Sequence, residues 1–177
     1  MLANMTAFGL SPNLVTFNHL ACTCRNAHQA SKLLRDMKRV GAMPNTHILT
    51  TLAVQGTFHY QPDLVHLALS KHEEFELQPD DYIVSRVDKF VTDYRKALVA
   101  VEKGNQQGLA GLKVHQANAV KEKSDGVEWA DFVKFYEQWK KDQRPKQTEK
   151  VKNYKRKNNH RNEKYSKATM NIKESLS

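Results

Sequence analysis

Three stretches of the chain carry a polar side chain at the same place in an apolar run: Asn18 in PNLVTFNHL (12–20), Thr50 in PNTHILTTL (44–52) and Ser85 in PDDYIVSRV (79–87). Each stretch opens with Pro followed by Asn or Asp. A carboxamide both donates and accepts hydrogen bonds, and a hydroxyl does the same on a shorter stem, so either can meet the Watson–Crick edge of a nucleobase. Asn45 and Asp80, which follow the closing prolines, would stand beside them. The alternative is that Asn18, Thr50 and Ser85 are only solvated polar positions.

Other residue types that could do chemistry point nowhere definite. His19, Cys22, Cys24 and His28 lie close together in sequence. Residues two apart on a helix point roughly 200° apart around its axis. Zinc sites use cysteines spaced by two to four residues, so the thiols read as core groups and no metal is expected. Two cysteines this close staple nothing, which fits a reducing compartment. There is no Gly-rich phosphate loop, nucleophile elbow or carboxylate cluster, so neither an enzyme nor a cofactor is expected.

The elements that position the polar residues follow from a repeat. Met5–Gly9–Pro12–Asn13 returns as Met37–Gly41–Pro44–Asn45, and in degraded form as His72–Glu76–Pro79–Asp80, with prolines 32 and 35 residues apart. Within each unit two helices are predicted. The first opens after Asn13, Asn45 or Asp80, whose side chains can accept the free amides of the first turn. It buries Leu14, Phe17, Leu20, Ala21 and Cys24, then Ile48, Leu49 and Leu52 in the next unit. The second helix carries a 3-and-4 stripe, Ala30, Leu33, Leu34, Met37 and Val40, answered in the following unit by Leu64, Leu67 and Ala68 after Pro62. A hairpin of this size cannot bury both faces alone, so such units stack.

The fold expected is therefore all-α, a solenoid of helix-turn-helix repeats over 1–101. It comprises a partial repeat at 1–13, repeats at about 14–45 and 46–80, and a further helix at 81–101 with Ile83, Val87, Phe90, Val91, Tyr94, Leu98 and Val101 on one face. A linker at 102–124 leads to a capping helix at 125–141, which starts at an Asp125–Glu128 capping box and carries Trp129, Phe132, Val133, Tyr136 and Trp139. Residues 142–177 are expected to be a disordered basic tail: 13 of the 28 basic and 4 of the 19 acidic side chains lie in 140–177, leaving the rest of the chain neutral. No apolar run approaches the ~20 residues of a membrane span. No charged residue precedes Arg25, so 1–24 does not read as a transit or signal peptide. The chain is expected to begin inside a repeat, as a piece of something longer whose targeting segment is absent.

VTFNHL, the closing turn MKRVGAMPN, GLSPNLVTFNHLA, FVKFYEQW and the near-35-residue spacing resemble the pentatricopeptide repeat family, helical-hairpin solenoids that bind single-stranded RNA at one base per repeat. The resemblance implies base-reading pairs at Asn18 with Asn45 and at Thr50 with Asp80, with Ser85 opening a third pair. It implies that Val15, His47 and Tyr82 sandwich the bases. It further implies a protein of the mitochondrial matrix acting on transfer-RNA precursors and ribosomal RNA, partnered by an RNA-processing enzyme or the mitochondrial ribosome, with no small-molecule substrate. The basic tail lies outside the resemblance; its Lys155, Arg156, Lys157 and Arg161 are the expected phosphate-binding cluster. The competing reading is a helical scaffold for protein–protein interaction, docking through its aromatic C-terminal helix and tail on a ribosome or processing enzyme.

Overall fold

A computed structural model of the chain describes residues 9, 11–104, 109, 112–122 and 129–143, and those residues contain helices and no strand. The chain falls into two compact units, Met1–Tyr136 and Glu137–Ser177. The first holds α1 (Leu14–Ala21), α2 (Ala27–Arg39), α3 (Thr46–His59), α4 (Pro62–Glu74), α5 (Asp81–Glu102) and α6 (Val114–Glu122). A further helix, α7, is described over 129–143. In the second unit its Gln138 Nε2 donates to both Asp142 carboxylate oxygens, at 3.1 and 3.3 Å.

Helices α1 and α2 form one hairpin and α3 and α4 the next. The first helices then pack side by side, α1 on α3 and α3 on α5, while α2 packs on α4. The core is the apolar stripe each helix turns inward: Phe17, Ala21, Ala30, Leu33, Met37, Ile48, Leu49, Leu52, Leu64, Ala68, Ile83, Val87, Phe90 and Tyr94 are all buried. Gly56 lets α3 and α4 close up, because a Cβ there would meet Val65 Cγ2 at 2.7 Å and Val65 N at 2.8 Å. Pro62 occupies the first turn of α4, where its missing N–H is no loss.

The 32-residue first unit differs from the 35-residue second in one place. α1 has 8 residues against 14 in α3, while α2 and α4 have 13 each. The closing turns are equivalent. Gly41 (φ 72°) and Glu76 (φ 52°) are both left-handed, and the next amide bonds back to the helix in each, Ala42 N–H to Met37 O and Leu77 N–H to His72 O, both at 2.9 Å. Glycine suits that conformation, whereas Glu76 costs on the order of 1 kcal/mol there.

Four expectations need correction. Leu14 is exposed and Leu20 half-buried, since α1 is short and Leu14 stands on the outer side of its first turn. Val40 is exposed because α2 ends at Arg39. The four half-buried residues Leu34, Leu67, Val91 and Val101 flank their stripes rather than centring them. The stretch 102–124, expected as a linker, contains α6, which buries Ala119 and Val120 and packs on α3 and α5. Gln116 starts that helix by accepting the Lys113 amide at 3.0 Å; the glycine-rich approach to it masked a two-residue apolar contact. Residues 1–8 and 10 of the partial repeat at 1–13, the Asp125–Glu128 capping box and the tail beyond 143 lie outside the described residues.

His72, which replaces the repeat's methionine (Met37 in the first unit), is fully buried, and burial lowers the pKa of its imidazole. The Leu77 backbone and the Asp80 carboxylate oppose only part of that effect. The unfolded chain therefore binds this proton more readily than the folded one, and folding stability rises with pH across the window below the ordinary histidine pKa of about 6.5. We predict that the urea midpoint drops as pH is lowered through that window. His72→Met should be more stable there and show a flatter pH profile, with His59 supplying a residual slope of the same sign because its pKa is lowered too.

Candidate functional site

The three first helices begin identically. Asn13, Asn45 and Asp80 are extended residues whose Oδ1 accepts the third amide of the helix, from Thr16 at 2.9 Å, Ile48 at 3.0 Å and Ile83 at 2.9 Å. With the start fixed, the second residue of each helix takes one direction. Val15 (63 % exposed), His47 and Tyr82 (57 %) all stand in solvent there. Two are large apolar groups, which a helix surface leaves free only at some cost in hydrophobic burial.

Asn18, Thr50 and Ser85 follow three residues later and differ in exposure. Ser85 is exposed; Asn18 and Thr50 are half-buried. Thr51 Oγ1 donates to Asn18 Oδ1 at 3.1 Å across the α1–α3 interface, which leaves the Asn18 amide N–H groups to donate outward. The Thr50 hydroxyl oxygen is shielded from solvent and has no hydrogen-bond partner. One interface further on, Arg86 Nε donates to Thr57 Oγ1 at 3.2 Å.

The N-caps keep part of their capacity. Asn45 commits Oδ1 and retains its N–H donors, while Asp80 commits Oδ1 and retains Oδ2 as an acceptor. On α3 the residues 47, 51, 54 and 58 fall 4, 3 and 4 apart, forming a stripe on the side away from Gly56 and therefore away from α4. His47 is exposed on it and Thr51, Val54 and Phe58 are half-buried.

Other residues singled out in the sequence resolve differently. Cys22 is exposed and Cys24 buried, its Sγ 3.6 Å from Leu20 O. Burial, then Cys22, raises the Cys24 pKa, which suits an inert core thiol. The tail residues Lys155, Arg156, Lys157 and Arg161 lie outside the described residues. Thr51 and Thr57, the partners that hold Asn18 and Arg86, were not legible in the sequence. The Thr50–Thr51 doublet was the available signal, but choosing which hydroxyl faces α1 needs the helix phase.

Comparison with known proteins bears on this geometry. The chain is 31% identical over 136 residues to pentatricopeptide repeat-containing protein 1, mitochondrial, of Rattus norvegicus, covering 75% of this chain and 17% of that protein. The likeness is to a pentatricopeptide repeat protein. The chain thus spans less than a fifth of the length of the curated relative it matches. No protein-family model matches the chain, and no solved structure matches it.

The orphaned Thr50 hydroxyl yields a stability prediction. Leaving a shielded hydroxyl without a partner costs about 1–3 kcal/mol, and valine has nearly the same shape. Thr50→Val should therefore stabilise the chain by about 1 kcal/mol in urea unfolding. Ser85→Ala, at an exposed site, should change it by less than about 0.5 kcal/mol.

Proposed function

We propose that this chain binds single-stranded RNA, one base per helical hairpin, through the exposed opening turns of α1, α3 and α5. The observation that carries the reading is the triple recurrence of an exposed Val15, His47 or Tyr82 at the second helical position, each followed one turn later by Asn18, Thr50 or Ser85. In this reading 14–45 and 46–80 are repeats of a solenoid, α5 opens a third hairpin, and α7 covers the end of the stack. The similarity to a pentatricopeptide repeat protein named as mitochondrial supports a mitochondrial place, and the reading extends it to RNA metabolism in the matrix, on transfer-RNA precursors or ribosomal RNA.

The resemblance to the pentatricopeptide repeat family implies a pyrimidine at Asn18 with Asn45 and a guanine at Thr50 with Asp80, the N-terminal repeat on the 5′ side, and the hydrogen-bonding capacity left at each site is compatible with both. At Asn18 and Asn45 both carboxamide oxygens are committed, so N–H donors remain for a base edge rich in acceptors, which a pyrimidine presents. At Thr50 and Asp80 the free Asp80 Oδ2 accepts, and the donor-rich edge of guanine fits it. Thr50 joins by turning its hydroxyl about χ1 toward a base when one is bound. The orphaned hydroxyl then gains its missing partner on binding. Val15, His47 and Tyr82 stack against the bases.

The scaffold alternative rests on the aromatic stripe of the C-terminal helix. In the first unit that stripe is occupied: Trp129 stacks on Tyr94 at 4.2 Å, Phe132 meets Phe90 at 6.0 Å, and Tyr136 Oη donates to Val84 O at 3.2 Å with Asp88 Oδ1 at 3.1 Å. Rings buried on α5 are not free to dock a partner protein.

Two bases at ~1–3 kcal/mol of stacking each give weak binding, so preference should emerge in competition within a randomised RNA pool. The expected enriched step is 5′-pyrimidine-G-3′, and Thr50→Asn should shift the second base from guanine toward uracil at similar total affinity. An unchanged second base would leave Asn18 and Thr50 as packing residues of a scaffold.

The tail supplies sequence-independent affinity through Lys155, Arg156, Lys157 and Arg161. Deleting 144–177 should lower RNA affinity and flatten its dependence on salt, because fewer counterions are released. An unaltered salt slope would remove the tail from the interface.

A further inference from the structure

At the C-terminal end of α3 the rings of Phe58, His59 and His115 form a triangle, with centroid separations of 5.0, 5.4 and 5.4 Å. Lys113 Nζ lies 4.5 Å over the Phe58 ring. Gln116 Nε2 donates to Phe58 O at 2.9 Å, and His115 Nε2 stands 3.4 Å from the same oxygen. The start of α6 is thereby pinned on the last turn of α3. Arg25, in the turn between α1 and α2, lies close enough to act on His59 electrostatically.

These side chains come from separate parts of the chain, and no ion pair among the described residues neutralises them. Arg25, Lys113 and His115 are exposed and His59 is half-buried, so the cluster is open to a ligand. The α5 side adds a cavity of about 130 Å³ bordered by Phe58, Arg86, Lys89 and Asp93. Asp93 is its carboxylate, and Lys89 already pairs with it at 2.8 Å.

Cations near a helix C-terminus are ordinarily favoured by its partial negative charge, which would raise a histidine there. His59 behaves oppositely: burial, then His115 and Arg25, lower its pKa. His59 thus lies among positive neighbours, and the first turn of α6 packs on the same place. Crowded cations with no counter-charge are a preformed anion site.

We propose that Arg25, His59, Lys113 and His115 form a phosphate-binding site at the end of α3, with Phe58 as its floor. The RNA reading enters only as the source of the phosphate, a phosphodiester of the bound strand. Phe58 lies two helical turns beyond Thr50, roughly 12 Å along α3, a distance comparable to that from a base edge to its own phosphate. Because a bound phosphate favours the imidazolium forms, it should raise both histidine pKa values, and affinity should increase as pH falls from about 7.5 to 6. The other charged groups facing the site are Arg25, Lys113, Arg86, Lys89 and Asp93.

The test is a histidine C–H NMR titration of the full chain, alone, with inorganic phosphate, and with a short single-stranded RNA. With RNA, the His59 and His115 pKa values should rise by about half a unit to one unit. Arg25→Gln with Lys113→Gln should remove the rise and reduce the salt slope by about one phosphate contact, while leaving the base preference at Thr50 and the circular-dichroism spectrum unchanged. If RNA binds and neither histidine moves, the phosphate site is wrong and the base-reading surface stands. If inorganic phosphate moves both histidines while RNA does not bind, the site stands for a free phosphate and the RNA reading falls.

Discussion

The side chains on the opening turns of α3 and α5 owe their direction to the closing turn before each helix. That turn joins three requirements in six residues. A left-handed residue, Gly41 or Glu76, reverses the chain and lets the following amide bond back to the helix. A buried proline, Pro44 or Pro79, prevents the helix from resuming. The next residue, Asn45 or Asp80, caps the following helix. Once a helix starts at a fixed residue with a fixed cap, the 3.6-residue period decides the heading of each later side chain. The first unit can therefore lose three residues from its first helix and turn without disturbing Asn45, because the loss lies upstream of the turn that sets it.

The interface between first helices has two demands on the same groups. Stacking α1, α3 and α5 buries apolar stripes, but the rim of each contact is polar, and the Thr51–Asn18 and Arg86–Thr57 hydrogen bonds cross it. A carboxamide can spend its oxygen on a neighbouring helix and keep its N–H groups; a hydroxyl has less to share. Thr50 lies between those demands with its oxygen sheltered and unpartnered. Orphaned buried polar groups are uncommon in folded proteins.

The segment after α5 departs from the repeat. Instead of a direct turn into another helix, the chain places α6 against α3 and α5, then returns with Trp129, Phe132 and Tyr136 to form an aromatic layer with Phe90 and Tyr94. Tyr136, buried and hydrogen-bonded near Asp88, has its hydroxyl pKa pushed far up, so it stays neutral and ties α7 to α5. The excursion brings Lys113 and His115, which belong to no repeat position, onto the end of α3.

The sequence alone determined the helices and their starts, because caps, prolines and apolar period act within a few residues. Asn13, Asn45 and Asp80 announce three helix starts that the structure contains within one residue, and Ile48, Leu49, Leu52, Leu64 and Ile83 are in the core as their spacing requires. The exposure of Val15, His47 and Tyr82 fits their place beside the caps. Tertiary structure decided the rest. Whether Asn18 and Thr50 are fully free depends on how closely α1 and α3 approach, and the Thr51 hydroxyl that holds Asn18 comes from 33 residues away. Helix α6 has only Ala119 and Val120 as buried apolar groups, too weak a pattern to stand out until α3 and α5 give it a surface. The cluster of Arg25, His59, Lys113 and His115 spans nearly a hundred residues of chain, and no local rule joins them. Local interactions fix where a helix begins; only packing between helices fixes which of its side chains share a site.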